Sequence, residues 1–202
     1  MIYQHRLCSL WNRVGSGEIH KAPRKWQDWL SDTGSLTQKI ELTIGQKLEV
    51  KILSDCRQNL KYDESRIFLF KIRRCRIREV LLCINNTPLV MARSIIPIFS
   101  SSGSNQDILR LGKKPLGAVL FARNKNKQGK RNNFESRKKY PCPKNKAIRE
   151  IARLGKNSSI WQSSYKKYHD LPLNPWGRRT LYKLKGRPIL VSEIFLPNLI
   201  KN

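Results

Sequence analysis

The chain has 202 residues, 39% of them hydrophobic, with five Trp, six Tyr and six Phe, which fits one domain with a substantial core and argues against a wholly disordered chain. No apolar run approaches the roughly 20 residues of a helical membrane span. Against 14 Asp and Glu stand 41 Lys and Arg, a formal charge of +27, which raises nucleic acid or another anionic surface as a partner and makes the placement of that charge the question.

Residues 1–21 read as a weakly specified arm, and their start, Met1-Ile2-Tyr3-Gln4-His5-Arg6, lacks the apolar core of a signal peptide, so a soluble protein of the cytoplasm is expected. Cys8, Cys56, Cys75, Cys83 and Cys142 are odd in number and scattered, and His5, His20 and His169 do not complete a metal spacing with them. Reduced thiols and no metal site are expected. Pro23 to Leu30 predicts a short helix with Trp26, Trp29 and Leu30 on its inner face. Ser35-Leu36-Thr37-Gln38 fits a capping box, although Ile40, Leu42 and Ile44 alternate as in a strand. Gly45 closes that segment, Leu48, Val50 and Ile52 alternate as a strand, and residues 55–65 read as a polar loop.

The centre of the chain is rich in strands. Ile77 to Ile84, the turn residues Asn85-Asn86-Thr87-Pro88, and Leu89 to Ile96 predict a hairpin. On a period of two, Arg78 shares a face with Val80, Leu82 and Ile84, a charge in an apolar row. Arg73, Arg74 and Arg76 read as a solvated basic cluster. Gln106 to Leu111 predicts a short helix stopped by Gly112, and Pro115 sits at the first position of another. Residues 122–169 hold 15 Lys or Arg against two acids, Glu135 and Glu150, and read as a basic insertion or extended flap with helical periodicity only over Ala147 to Leu154. A solvated loop is the commoner fate of such a stretch.

Strands resume near Tyr182 and Leu184 and again from Arg187 to Pro197. In the second, Ile189, Val191, Glu193 and Phe195 share a face, so Glu193 is a carboxylate in an apolar row. A buried carboxylate needs a cation or a hydrogen-bonding ligand. Arg78 and Glu193 either pair with each other or face something between them.

Five blocks carry a resemblance: Ile77-Arg78-Glu79-Val80-Leu81-Leu82-Cys83, Ala92-Arg93-Ser94-Ile95-Ile96-Pro97, Leu111-Gly112-Lys113-Lys114-Pro115-Leu116-Gly117, Trp176-Gly177-Arg178-Arg179 and Glu193-Ile194-Phe195-Leu196-Pro197. In order and spacing the chain resembles the bacterial chorismate lyase family, over about residues 26–121 and 174–197. The resemblance implies a single α/β (α+β) domain over residues 1–202, an antiparallel β-sheet with helical flaps over a buried ligand pocket. It implies conversion of chorismate to 4-hydroxybenzoate and pyruvate for ubiquinone synthesis, with no metal or organic cofactor, by a monomer. Carried over by position, Arg78 would grip the ring carboxylate and Glu193 would meet the ring hydroxyl, both as catalytic groups. Leu116 would contact the ligand through its backbone, and Leu36 would press on the ring from a flap. Arg93 and Trp176 fall in matched blocks without a role. A non-catalytic ligand-sensing domain of the same fold is the first alternative. About 25 residues precede the matched part, too few for the DNA-binding domain that such a sensor follows. A basic nucleic-acid binder is the second, and no recognised binding motif supports it.

Overall fold

The computed structural model describes residues 11–15, 17–68, 72, 74–121 and 148–200. Seven strands are found among them: β1 (Asn12–Arg13), β2 (Glu49–Gln58), β3 (Cys75–Ile84), β4 (Thr87–Pro97), β5 (Ile148–Arg153), β6 (Trp176–Leu184) and β7 (Arg187–Phe195). They form one antiparallel sheet in the order β1-β5-β6-β7-β4-β3-β2. Two tight hairpins build its middle. The β3–β4 loop is Asn85-Asn86, with φ of 47° and 64°, and the β6–β7 loop is Lys185-Gly186, with φ of 47° and 80°. Two left-handed residues in succession match the twist of the flanking strands, which is why Asn and Gly stand there.

Helices cover both faces. α1 (Arg24–Ser31) buries Trp26, Trp29 and Leu30, as its spacing predicts, and α2 (Leu36–Ile44) follows. Helix prevails over strand in α2 because both ends are capped. Ser35 Oγ accepts from the Gln38 N–H at 3.4 Å, and Gly45 (φ 76°) returns its N–H to Glu41 O. Gln38 does not complete the box. The Pro115 segment gives one turn, α4 (Gly117–Leu120), and Gly103–Arg110 forms 3-10 helix ahead of Gly112. On the other face lie α3 (Tyr62–Ser65) and α5 (Ser159–Tyr165).

Apolar packing divides along the sheet. On the α1–α2 face, one cluster joins Trp26, Trp29, Leu36 and Ile40 to Val50, Val80, Leu82 and Phe195, and a second joins Ile108, Leu111 and Leu116 to Ile96, Ile189 and Val191. The opposite face also carries two, one around Leu81, Met91, Trp161 and Ile194 and one around Ile77, Ile95, Leu181 and Leu190.

Three expectations change. β2 runs to Gln58, through residues read as loop, because an edge strand faces water and needs no apolar alternation there. Residues 148–153 are strand, not helix: β5 pairs with both β1 and β6 and buries Ile151 and Ala152. β5 and α5 thus lie within the basic stretch 122–169, of which residues 122–147 are outside the described residues. Arg76 is not a solvated charge but a half-buried partner of Asp55. Cys56 is exposed, and Cys75 and Cys83 are buried free thiols, that of Cys75 pushed up to about 11 by burial and by Glu64. Cys8 and Cys142, like Arg73, lie outside the described residues.

Candidate active site

The pocket opens between the two apolar clusters of the α1–α2 face. Its floor is the sheet, with Val80, Ala92, Ser94 and Val191 among its residues, and its roof is the start of α2 and the start of α4. The two roof pieces meet. A Cβ built on Gly117 would lie 3.4 Å from both Ser35 Oγ and Thr37 Oγ1. About 540 Å³ of space lies between the walls, the open side included. All four sequence-predicted residues line it: Leu36 and Leu116 from the roof, Arg78 and Glu193 from the floor.

Strand register separates the two charges. Arg78 stands opposite Ser94, itself opposite Val191, whereas Glu193 stands opposite Ala92, itself opposite Val80. They are thus two strands and two residues apart on one face, about 12 Å between Cα atoms by ideal sheet spacings. They do not pair with each other. Each has a partner of its own.

Arg78 is anchored from behind. Its Nη1 donates to Asp55 Oδ2 at 3.0 Å, and its Nη2 donates to the carbonyls of Gly112 at 2.6 Å and Lys114 at 3.3 Å. Asp55 also accepts from Arg76 Nε at 2.6 Å and Nη2 at 2.8 Å. Burial pushes the Asp55 carboxyl up, but the two guanidiniums outweigh it and hold it below the usual carboxylate range. Two cations therefore share one anion, and the Arg78 end keeps a positive excess. A bulge creates this arrangement. Ile52 pairs with Val80 but Ser54 with Glu79, so Leu53 is an extra residue that turns Asp55 toward Arg78.

Glu193 is held by Arg178, its neighbour on β6: Arg178 Nε donates to Glu193 Oε2. Nη1 of Arg178 donates to the carbonyls of Trp29 at 2.9 Å and Asp32 at 2.7 Å, with Asp32 Oδ2 4.0 Å away. Burial pulls the Arg178 guanidinium down, yet Glu193 and Asp32 raise it above its ordinary value. Gly177 lets the strands close here, since a Cβ on it would come within 2.8 Å of Leu154 and 3.1 Å of the Glu193 carbonyl. Glu193 Oε1 has no hydrogen-bond partner among the described residues and is left for the pocket.

Neither the Leu116 nor the Gly117 N–H bonds a protein acceptor among the described residues, as suits backbone donors at a helix start. Sequence reading passed over three contributors. Asp55 falls in a segment that the sequence predicts as loop, Arg178 carries no role in its matched block, and Tyr182, buried in the pocket wall, reads only as strand. A hint existed for Arg178, since a buried Glu193 demands a cation and the adjacent strand offers one. Among the described residues no group of three His, Cys, Asp or Glu side chains gathers to hold a metal, and no helix is long and apolar enough to cross a membrane.

Comparison with known proteins gives the same family as the sequence blocks. The family model for chorismate lyase matches residues 8–202. The chain belongs to the chorismate lyase family. The chain is 31% identical over 172 residues to a protein of Methylococcus capsulatus named "Probable chorismate pyruvate-lyase", covering 85% of this chain and 94% of that one. A protein of the same name from Aromatoleum aromaticum is 34% identical over 184 residues, covering 90% and 89%. The "Chorismate pyruvate-lyase" of Yersinia enterocolitica is 27% identical over 178 residues, covering 87% and 83%. Among solved structures, a GntR-family transcriptional regulator from Bacillus cereus aligns with a TM-score of 0.47 at 12% identity, over 75% of this chain and 92% of that one.

Proposed function

We infer that this protein is a chorismate lyase, releasing pyruvate from chorismate to leave 4-hydroxybenzoate, the entry step of ubiquinone synthesis. The observation that carries the site assignment is the placement of Arg78 and Glu193 on one sheet face, in one pocket, each tied to a different partner. A flat ring with a carboxylate at one end and a hydroxyl at the other fits between them. Arg78, backed by the shared Asp55, takes the ring carboxylate, and Glu193 Oε1 accepts from the C4 hydroxyl. The backbone N–H groups of Leu116 and Gly117 add donors from the roof, and Leu36 closes on the ring face.

The atoms balance. The C3–O ether bond breaks, the C4 hydrogen leaves, the ring becomes aromatic, and a proton reaches the methylene carbon of the enolpyruvyl group to complete pyruvate. Aromatisation drives the step, so the pocket has to hold one conformer and meet the charge on the departing group. We take the enzyme to be one domain and a cytoplasmic monomer with no nucleic-acid partner, in keeping with the family to which the chain belongs.

The test is incubation of the purified protein with chorismate and no added metal, following both products. Equimolar 4-hydroxybenzoate and pyruvate are expected. Arg78→Ala is expected to lower kcat/KM by about 10²–10³-fold, as loss of a charged donor at an active site does. Full activity in both Arg78→Ala and Glu193→Ala would reject the site assignment.

A further inference from the structure

Chorismate carries two carboxylates, and the site as described meets only one of them. The second, on the enolpyruvyl group, leaves with pyruvate, so whatever binds it separates substrate from product. Arg78 and Glu193 hold the two ends of the ring, and the sheet rows on either side of the line between them differ in character. Toward one side lie Val50 and Leu82, both apolar and both lining the pocket. Toward the other lie Ser94, beside Arg78 in its row, and Tyr182, one row further on and opposite Ile189.

Tyr182 is the larger and better placed of these. It is 4% exposed, lines the pocket, and packs edge-on against Phe121 of the roof with ring centroids 5.9 Å apart. The side chain of Thr180, two positions back on the same strand and 1% exposed, lies beside its hydroxyl. That places the phenol back along β6 toward the row of Arg78 and Val191, because Thr180 is the β6 partner of Val191. The Tyr182 O–H makes no hydrogen bond to a protein acceptor among the described residues, so it is left to donate. Thr37, the remaining polar group of the roof, is already bonded to Ser35 Oγ at 3.0 Å.

We propose that the Tyr182 hydroxyl, held in the pocket wall beside Thr180 and against Phe121, donates to the enolpyruvyl carboxylate and so favours chorismate over the product. This rests on the chorismate lyase reading of the site. Proton retention supports it. Burial first and the nearby Glu193 second push the Tyr182 phenol up to about 12, which keeps it a donor at any physiological pH.

Tyr182→Phe keeps the ring and its contact with Phe121 and removes only the hydroxyl. The experiment measures kcat/KM for chorismate and the inhibition constant of 4-hydroxybenzoate in the wild type and in this variant. The expected result is a fall in kcat/KM of about tenfold or more, the usual effect of losing a hydrogen bond to a charged group, with the inhibition constant within twofold. Thr180→Val is expected to lower kcat/KM in the same sense and by less, again with the product constant unmoved. A structural role would move both constants together. Unchanged kcat/KM in Tyr182→Phe, or an equal weakening of substrate and product, overturns the proposal. A wild-type enzyme that turns over no chorismate overturns the reading beneath it, and that control separates the two failures.

Discussion

The two faces of the central sheet both bury charge, and they differ in how completely the charge is answered. On the α3–α5 face, Arg93 donates from Nε and Nη2 to the two oxygens of Glu64 and from Nη1 to Glu79 Oε1. Glu79 takes Lys167 and Ser54 on its other oxygen. Two cations meet two anions, and every nitrogen of Arg93 is used. The pocket face uses the same residue types and leaves the account open. Two guanidiniums share Asp55, Nε of Arg78 makes no hydrogen bond among the described residues, and Glu193 keeps one oxygen for the cavity. Burial of charge is therefore no mark of a binding site in this protein. The mark is charge whose partners satisfy only one side of it.

The contrast breaks most sharply on the closed face. Arg93→Ala strands Glu64 without its cation and leaves Glu79 with Lys167 alone, and removal of one partner from a buried cluster costs about 3–5 kcal/mol. Urea unfolding is expected to show that loss in the midpoint at an unchanged slope. Arg78→Ala should cost less stability, because Asp55 retains Arg76 and the loss at that position appears in turnover. Equal destabilisation by the two substitutions would erase the distinction between a closed cluster and an open one.

The sequence makes one half of this distinction visible. Arg78 and Glu193 stand out because a period of two places each in an apolar row, and that inference needs nothing beyond the strand itself. Their partners do not stand out. Asp55 faces Arg78 only because the bulge at Leu53 reverses the alternation of β2, and a bulge leaves no trace in a polar edge strand. Arg178 and Arg179 are adjacent and alike, and only register shows that the first faces Glu193 while the second turns to Glu150. β5 was unreadable for a related reason: Arg149, Glu150 and Arg153 interrupt its apolar residues, and its pairing with β1 and β6 is long-range. The hairpins were readable because their turn chemistry is local.

A middle-sized effect tests the open end directly. Asp55→Asn removes the shared charge behind Arg78 and leaves the guanidinium to two carbonyls. The expected outcome is a fall of about tenfold in kcat/KM for chorismate, since orientation and not contact is lost. Affinity for 4-hydroxybenzoate should weaken in parallel, because substrate and product present the same ring carboxylate to Arg78. This pattern is the opposite of that expected for Tyr182→Phe. A change in substrate kinetics alone would detach Asp55 from the ring-carboxylate end.

The smallest effect is a pH dependence with a definite sign. Arg76 and Arg78 hold the Asp55 carboxyl below its ordinary value of 3.8 despite burial, so its ionised form favours the folded chain. That contribution is fully present above the unfolded value and is lost as the pH falls through the lowered folded one. Within that window the unfolded chain binds more protons, and stability therefore falls as acid is added. Denaturant unfolding from pH 6 down to about 3, compared with Asp55→Asn, isolates the group. The wild-type advantage should be constant at the upper end and shrink below about pH 3.8, where the two curves approach each other. Parallel curves throughout would mean that the two guanidiniums do not select the ionised carboxylate, and the positive excess at the Arg78 end would lose its explanation.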